Sequence, residues 1–217
     1  MSTTVMGSPV VIDRHQELRR QALRQLEQFA VLMRKGHFDY GNGFHGRVYL
    51  NPHQLFRQPS TIWRLAQDLL EVLPGELLEK TEVVTGPVMG GALLAHTLAG
   101  LLDGRRSLTH PPCIFAPFSS RGDQDFTLRD FYARQMAGKR VLIADDVRNT
   151  GKTFVRCAEL VRKAGGTVLA TVEICDRMEA LADAGVPNYT LAEYKAPENF
   201  PAAECPMCAA GEPVTSF

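Results

Sequence analysis

The residues best suited to chemistry lie in one run, VLIADDVRNTGKT, at positions 141–153. Four apolar residues, 141–144, predict a buried strand that ends abruptly in Asp145 and Asp146. Adjacent carboxylates at a strand end repel each other unless solvent, a cation or hydroxyl donors compensate them. A ribose diol and a hydrated Mg²⁺ would supply that compensation. Asn149-Thr150-Gly151 predicts a tight turn opening a helix. Backbone N–H groups at a helix start bind phosphate, and Thr150 and Thr153 add hydroxyl donors. A strand-end turn with Asp and Asn chosen for turn geometry and capping accounts for the acidic pair alone, but less well for the whole run. The embedded GKT suggests a P-loop, yet that motif needs glycine five positions before Gly151, where Asp146 stands.

Such a run needs a scaffold to position it. The chain has 217 residues, 45% of them hydrophobic, enough for one α/β domain without disulfides or a structural metal. Its 24 basic and 24 acidic residues argue against a broad surface for nucleic acid or an anionic membrane. Cys113, Cys157 and Cys175 sit in apolar stretches, where a free thiol behaves as a small buried hydrophobe. An odd cysteine count without regular spacing fits a reducing compartment. No basic segment followed by a long apolar run opens the sequence, and no apolar stretch approaches the roughly 20 residues that span a bilayer. The expected location is cytoplasmic.

Leu18, Ala22, Leu26, Phe29 and Met33 recur at helical spacing, predicting a helix over 13–35, capped by Asp13 and stopped at Gly36. Residues 36–51, glycine- and aromatic-rich, read as a loop leading into a short strand. A second helix is expected over 60–72, ended by Pro74-Gly75. From residue 82, short β-branched runs (EVVTG, CIFAPF, KRVLIADDV, TVLATVEICDR, YTLAEY) alternate with helical ones (GALLAHTLAGLL, TFVRCAELVRKAGG). That alternation predicts an α/β fold: a doubly wound, mostly parallel sheet flanked by helices. Ligands in such sheets bind at the carboxyl ends of strands, so the loops of interest are 86–91, 118–138 and 145–153.

The strand, acidic pair and phosphate loop resemble the signature of type I phosphoribosyltransferases. Further details resemble orotate phosphoribosyltransferases: GHFDYGNGFHGRVYLN, VVTGPVMGGALLA, the mobile-loop stretch SSRGDQDFTLRDFYARQMAGKRVLIADDV, VEICDRMEAL and the tail FPAAECPMCAAGEPV. The resemblance implies Mg²⁺-dependent transfer of ribose 5-phosphate from phosphoribosyl diphosphate to orotate, by a homodimer without nucleic-acid or membrane partners. It implies catalytic roles for Asp145, Asp146 and Arg121. Asp145 and Asp146 would hold the metal through water or ribose hydroxyls. The sugar diphosphate would meet those two, Val147, Arg148, Asn149, Thr150, Gly151, Lys152 and Thr153, with Met89, Gly90 and Arg121 near the diphosphate; Arg129 is a further loop cation. Orotate would meet Arg177, held in place by Asp176, together with Asn149 and Tyr49. Residues 1–80 would form a small hood-like part with the base pocket, 81–195 the core and 196–217 a tail.

The chain departs from the family pattern at Arg148, Asn149 and Lys152, in a lid without lysine between Phe118 and Arg134, and in a lysine-free Val88-Met89-Gly90-Gly91 loop. Transfer to another base, and non-catalytic binding of the sugar diphosphate or a nucleotide by a regulator, are the alternatives. Cys205-Pro-Met-Cys208 has no second CxxC, and His37, His45, His53, His96 and His110 are scattered. A four-ligand zinc site would need folding or a dimer partner to complete it, and inert C-terminal packing is the expectation.

Overall fold

The structure is a computed structural model, described for residues 13–40, 43–120, 126–179, 182–195, 197 and 199–216. Helix α1 (Arg14–Gln28) begins as expected, with the Asp13 carboxylate accepting from the His15 N–H at 3.0 Å. It ends earlier than its apolar spacing predicts. Ala30 takes a left-handed conformation and Val31 N–H closes onto Leu26 O at 2.8 Å, so the chain leaves the helix before Met33. Helical spacing persists past that point because β1 (Leu32–Met33) also needs apolar residues. The stretch predicted as a loop with one strand forms β2 (Phe38–Asp39), β3 (Phe44–Gly46) and β4 (Tyr49–Leu50). β1 pairs antiparallel with β4, and β2 with β3. Helix α2 (Pro59–Val72) buries Ile62, Leu65, Ala66, Leu69 and Leu70 on one stripe; each such leucine contributes about 1.5–3 kcal/mol by leaving water. α3 (Gly75–Lys80) follows Pro74 directly.

The core then alternates: β5 (Val83–Thr85), α4 (Gly90–Arg105), β6 (Ile114–Phe115), the β7 (Ser119–Ser120) and β8 (Phe126–Thr127) hairpin, α5 (Asp130–Met136), β9 (Arg140–Arg148), α6 (Lys152–Lys163), β10 (Thr167–Asp176) and β11 (Asn188–Glu193). The five-stranded sheet runs β11-β10-β9-β5-β6, every pairing parallel. Successive side chains on a strand face opposite ways, and β9 uses this to serve two cores. Val141 and Ile143 pack with Phe154, Cys157 and Val161 of α6, whereas Leu142 and Ala144 pack with α2 and α4. Cys113, Cys157 and Cys175 are buried free thiols, as their apolar neighbours led us to expect. β9 does not stop at the acidic pair. Its longer neighbour β10 carries the pairing on to Asp176 opposite Arg148, so Asp145 and Asp146 lie within the paired strand. The span 118–138, expected as loop, contains the hairpin and α5.

The tail folds back onto the N-terminal part. β12 (Phe200–Pro201) pairs antiparallel with β3, giving a small sheet β12-β3-β2, and α7 (Pro206–Ala209) follows. Beyond it Thr215 N–H donates to His37 O at 2.8 Å and Asp39 N–H donates to Thr215 O at 3.0 Å. Arg47 grips Glu212 through both guanidinium ends, at 2.7 and 2.8 Å. Among the described residues, no helix is long and apolar enough to cross a membrane.

Candidate active site

Strand alternation aims the two carboxylates at different spaces. Asp145 points toward α6 and lines a cup of about 120 Å³; Asp146 points the other way, into a cavity of about 570 Å³ under the β2–β4 segment. Each carboxylate also caps the next peptide: Asp145 Oδ1 accepts from Asp146 N–H at 2.9 Å, and Asp146 Oδ1 from Val147 N–H at 2.6 Å. Burial is the main force pushing both carboxyls up, each still open toward its cavity. Asp146 rises to about 6 against those backbone bonds and the charge of His53. Asp145 is also held well above its usual range, by burial first and then by the negative charge of Asp146 and of Glu173. Two carboxyls held above their usual range in adjoining cavities form a place that a cation or hydroxyl donors would relieve. Gly90 makes room for this: a Cβ there would collide with Asp146 Oδ2 and the Phe56 ring.

The cup is the turn between β9 and α6, with Val147, Arg148, Asn149, Thr150, Gly151 and Thr153 in its walls. Gly151 has φ 82, and a Cβ would stand 2.5 Å from Ala182 O, so any other residue strains the turn and strikes backbone. The left-handed residue opens α6, whose first-turn N–H groups are unpaired in the helix and face the turn. Thr150 is fixed from outside, its carbonyl accepting from Ala182 N–H at 3.0 Å. Arg148 turns away to Asp176, Nη1 to Oδ2 at 3.0 Å, with both side chains nearly buried. The expectation that Asp176 orients Arg177 is therefore corrected: the Asp176 carboxylate pairs with Arg148 and accepts from Met178 N–H at 2.8 Å, while Arg177 meets Asn149 and Glu179.

Tyr40, Tyr49, Asp146, Lys152, Arg177 and Asn199 are among the walls of the larger cavity. Tyr49 stacks on Tyr40 with ring centroids 6.2 Å apart and planes 13° from parallel. Tyr40 donates its hydroxyl to Val48 O at 2.5 Å, and its phenol is held above its usual range chiefly by burial. The Arg177 guanidinium lies 5.9 Å from the centroid of the Tyr40 ring. Its Nη1 donates to Asn149 Oδ1 at 3.4 Å. Nη2 sits 2.9 Å from the Glu179 carboxylate, near enough for charge pairing but not in hydrogen-bond alignment. Nε and Nη2 are buried donors without a hydrogen-bond partner.

The structure thus gathers Asp145, Asp146, residues 147–153, Arg177 and Tyr49 around two adjoining spaces. Met89 is exposed at the start of α4, with Gly90 beside Asp146. Arg129 is exposed before α5 and lines neither space. Arg121 and the lid residues Gly122, Asp123, Gln124 and Asp125 lie outside the described residues. Tyr40, His53, Glu179 and Asn199 join the site without having been marked by the sequence. An aromatic beside a glycine turn was the one signal for Tyr40; the others come close only through the fold.

Residues 58–190 match the phosphoribosyl transferase domain family. An orotate phosphoribosyltransferase of Erythrobacter litoralis is 35% identical over 83% of this chain and 88% of its own length. Another, of Caldanaerobacter subterraneus, is 31% identical over 90% of this chain and 95% of its own. The crystal structure of orotate phosphoribosyltransferase from Aeropyrum pernix superposes with TM-score 0.60 at 24% identity, covering 79% of this chain and 93% of that one, a likeness of fold. The parallel sheet, the acidic pair, the glycine turn and these similarities together make the chain a member of the phosphoribosyltransferase family, on its orotate phosphoribosyltransferase branch.

Proposed function

We propose that the protein transfers ribose 5-phosphate from phosphoribosyl diphosphate to orotate, giving orotidine 5'-monophosphate and diphosphate. The observation that carries the choice of base is the Arg177 guanidinium in the wall of the cavity beside the phosphate cup, where neither Nε nor Nη2 makes a hydrogen bond. A guanidinium edge whose Nε has no hydrogen-bond partner and whose Nη2 meets only the Glu179 charge suits a planar carboxylate, a group orotate has and uracil lacks. The 5-phosphate sits in the cup, held by N–H groups of the turn and α6 and by the Thr150 and Thr153 hydroxyls. Lys152, at the mouth of the larger cavity, adds positive charge. Asp145 and Asp146 hold the ribose hydroxyls.

Positive charge grows on the ribose as the bond to diphosphate breaks, and the acidic pair lies where it offsets that charge. The donor set fits a divalent ion, since carboxylate oxygens suit Mg²⁺ and two carboxyls strained by burial gain from it. Asp145 and Asp146 would hold Mg²⁺ through water or ribose hydroxyls, and the ion would supply charge compensation for the departing diphosphate. Met89 and Gly90 border the diphosphate position, and the charge of Arg121 is assigned to neutralising the departing diphosphate. Residues 1–80 act as the hood over the base, 81–195 as the core and 196–217 as a tail, and the working form is a cytoplasmic homodimer. Sedimentation showing a fully active monomer at micromolar concentration would remove the dimer.

The deciding experiment incubates purified protein with phosphoribosyl diphosphate, Mg²⁺ and a panel of orotate, uracil and purine bases, following diphosphate release. Release with orotate alone is expected. Equal use of uracil or a purine overturns the role of Arg177. Binding of the sugar diphosphate with transfer to no base makes the protein a regulator.

A further inference from the structure

The cysteine pair read as inert packing is not isolated. His37 on the approach to β2, His45 on β3, and Cys205 and Cys208 flanking the first turn of α7 bring four ligand atoms within 4.8 Å of one another. His37 Nε2 lies 2.9 Å from His45 Nδ1, 3.5 Å from Cys205 Sγ and 3.6 Å from Cys208 Sγ, while Cys208 Sγ is 3.3 Å from His45 Nδ1. A tetrahedral zinc ion with bonds of about 2.0–2.1 Å to nitrogen and about 2.3 Å to sulfur has ligand–ligand edges of roughly 3.3–3.8 Å. The three contacts that involve sulfur fall in that range, and the two histidine nitrogens stand closer, at 2.9 Å.

The protons argue in the same direction. His37 Nδ1 faces Glu212 O at 2.9 Å, and a carbonyl only accepts, so Nδ1 carries the hydrogen and the Nε2 lone pair points into the cluster. His45 Nε2 faces the Asp39 carboxylate at 3.9 Å, which favours a proton on that nitrogen and turns the Nδ1 lone pair inward too. Two lone pairs at hydrogen-bond distance beside two sulfurs repel each other unless something positive lies between them. A ligating histidine whose second nitrogen is held by a carbonyl or carboxylate is the usual outer arrangement of a metal site. Cys205 and His37 are buried and both cysteines are free.

We infer that His37, His45, Cys205 and Cys208 bind one structural Zn²⁺ per chain, fastening the tail to the β2–β3 hairpin. Four protein ligands fill a tetrahedral site, so the ion has no open position for substrate. Binding converts two thiols to thiolates, releases their two protons to solvent and leaves a neutral centre. The ion joins segments more than 160 residues apart in sequence, as the His45–Cys208 separation of 163 shows. It secures Tyr40 and Asn199, which flank these segments and line the large cavity.

The test uses the full-length protein, purified without chelator and dialysed, with metal counted by plasma mass spectrometry. One zinc per chain is expected. Removal with a chelator should lower the thermal midpoint by several degrees, and added Zn²⁺ should restore it. Co²⁺ added to the stripped protein should give intense tetrahedral ligand-field bands with a thiolate charge-transfer band. Cys208→Ser, at an exposed position that tolerates the change, should lose most of the bound zinc and the thiolate band should weaken. Should that variant unfold, the cobalt spectrum of the stripped wild-type chain decides alone. Wild-type protein that takes up neither Zn²⁺ nor Co²⁺, or a weak octahedral cobalt spectrum without thiolate absorption, overturns the site. None of these readouts depends on which base the protein uses.

Discussion

The two spaces of the site are built in opposite ways. The phosphate cup comes almost wholly from one contiguous segment, the end of β9, its turn and the start of α6, seated on a sheet buried on both faces. The base cavity draws on β4, the β2–β3 hairpin, the turn after β9, the turn after β10 and the tail. Their charge also differs. Asp145 lines the cup with the Glu173 carboxyl behind it, whereas the base cavity sets Arg177 beside the Tyr40 ring, with Asp146 and Glu179 also in its walls. A contiguous segment on a rigid strand keeps its geometry when distant parts change, and an assembled cavity does not. Ligand recognition can therefore diverge in the second space while the first stays constant.

The sharpest break of that comparison is Arg177→Ala. It removes a charge partner in the base cavity and should lower kcat/KM for orotate by about 2–5 kcal/mol, with calorimetric affinity for phosphoribosyl diphosphate unchanged. Loss of both together would mean the two spaces are not separable.

Beneath the cup, Glu173 is fully buried on β10, with one carboxylate oxygen unpaired and its carboxyl pushed from 4.5 to about 8 mainly by burial. The unfolded chain releases this proton near 4.5 and the folded chain keeps it until about 8. Stability therefore falls as pH rises between those values, and the loss is complete above the upper one. Glu173→Gln removes this term. Urea unfolding should show the variant gaining on wild type from pH 5 to pH 8 by about 1–3 kcal/mol, the scale of an uncompensated buried group. A constant difference across that range would place the titration elsewhere.

Asp146→Asn should weaken phosphoribosyl diphosphate binding in Mg²⁺ by about 1–2 kcal/mol, as expected for losing a charge-assisted contact. Equal calorimetric affinity in both proteins would remove Asp146 from the sugar site. The smallest expected effect is Tyr40→Phe. It deletes the hydroxyl bond to Val48 O, worth about 0.5–1.5 kcal/mol, and should raise the KM for orotate a few-fold without changing that for the sugar diphosphate. A larger change in the second constant would show that the hood also shapes the cup.

What could be read from the sequence follows the same division. Apolar runs and glycine turns are local signals, so β9, its turn and α6 were legible down to the role of Gly151, although not the extension of β9, which depends on its pairing with β10. Helix α1 was placed but overrun, because Phe29 and Met33 keep helical spacing across a turn that only backbone geometry reveals. The position of Arg177 was legible and its neighbours were not: Asp176 pairs with Arg148, and Glu179 and Tyr40 approach from other segments. The cysteine pair stood without histidines in the linear pattern, since His37 and His45 reach it only through β12 and β3.

The pairing of the tail with the hairpin sets an order of events during synthesis. His37 emerges early, and its carbonyl partner at Glu212 follows 175 residues later. At about 5–20 residues per second the ribosome needs roughly 9–35 s to cover that distance. The sheet with its cup can be complete before the tail arrives, while the hairpin waits with His37 and Phe38 uncovered. Final closure of the base cavity thus waits until residues 199–212 have emerged, and a chain stalled before them would present a finished phosphate cup under an open roof.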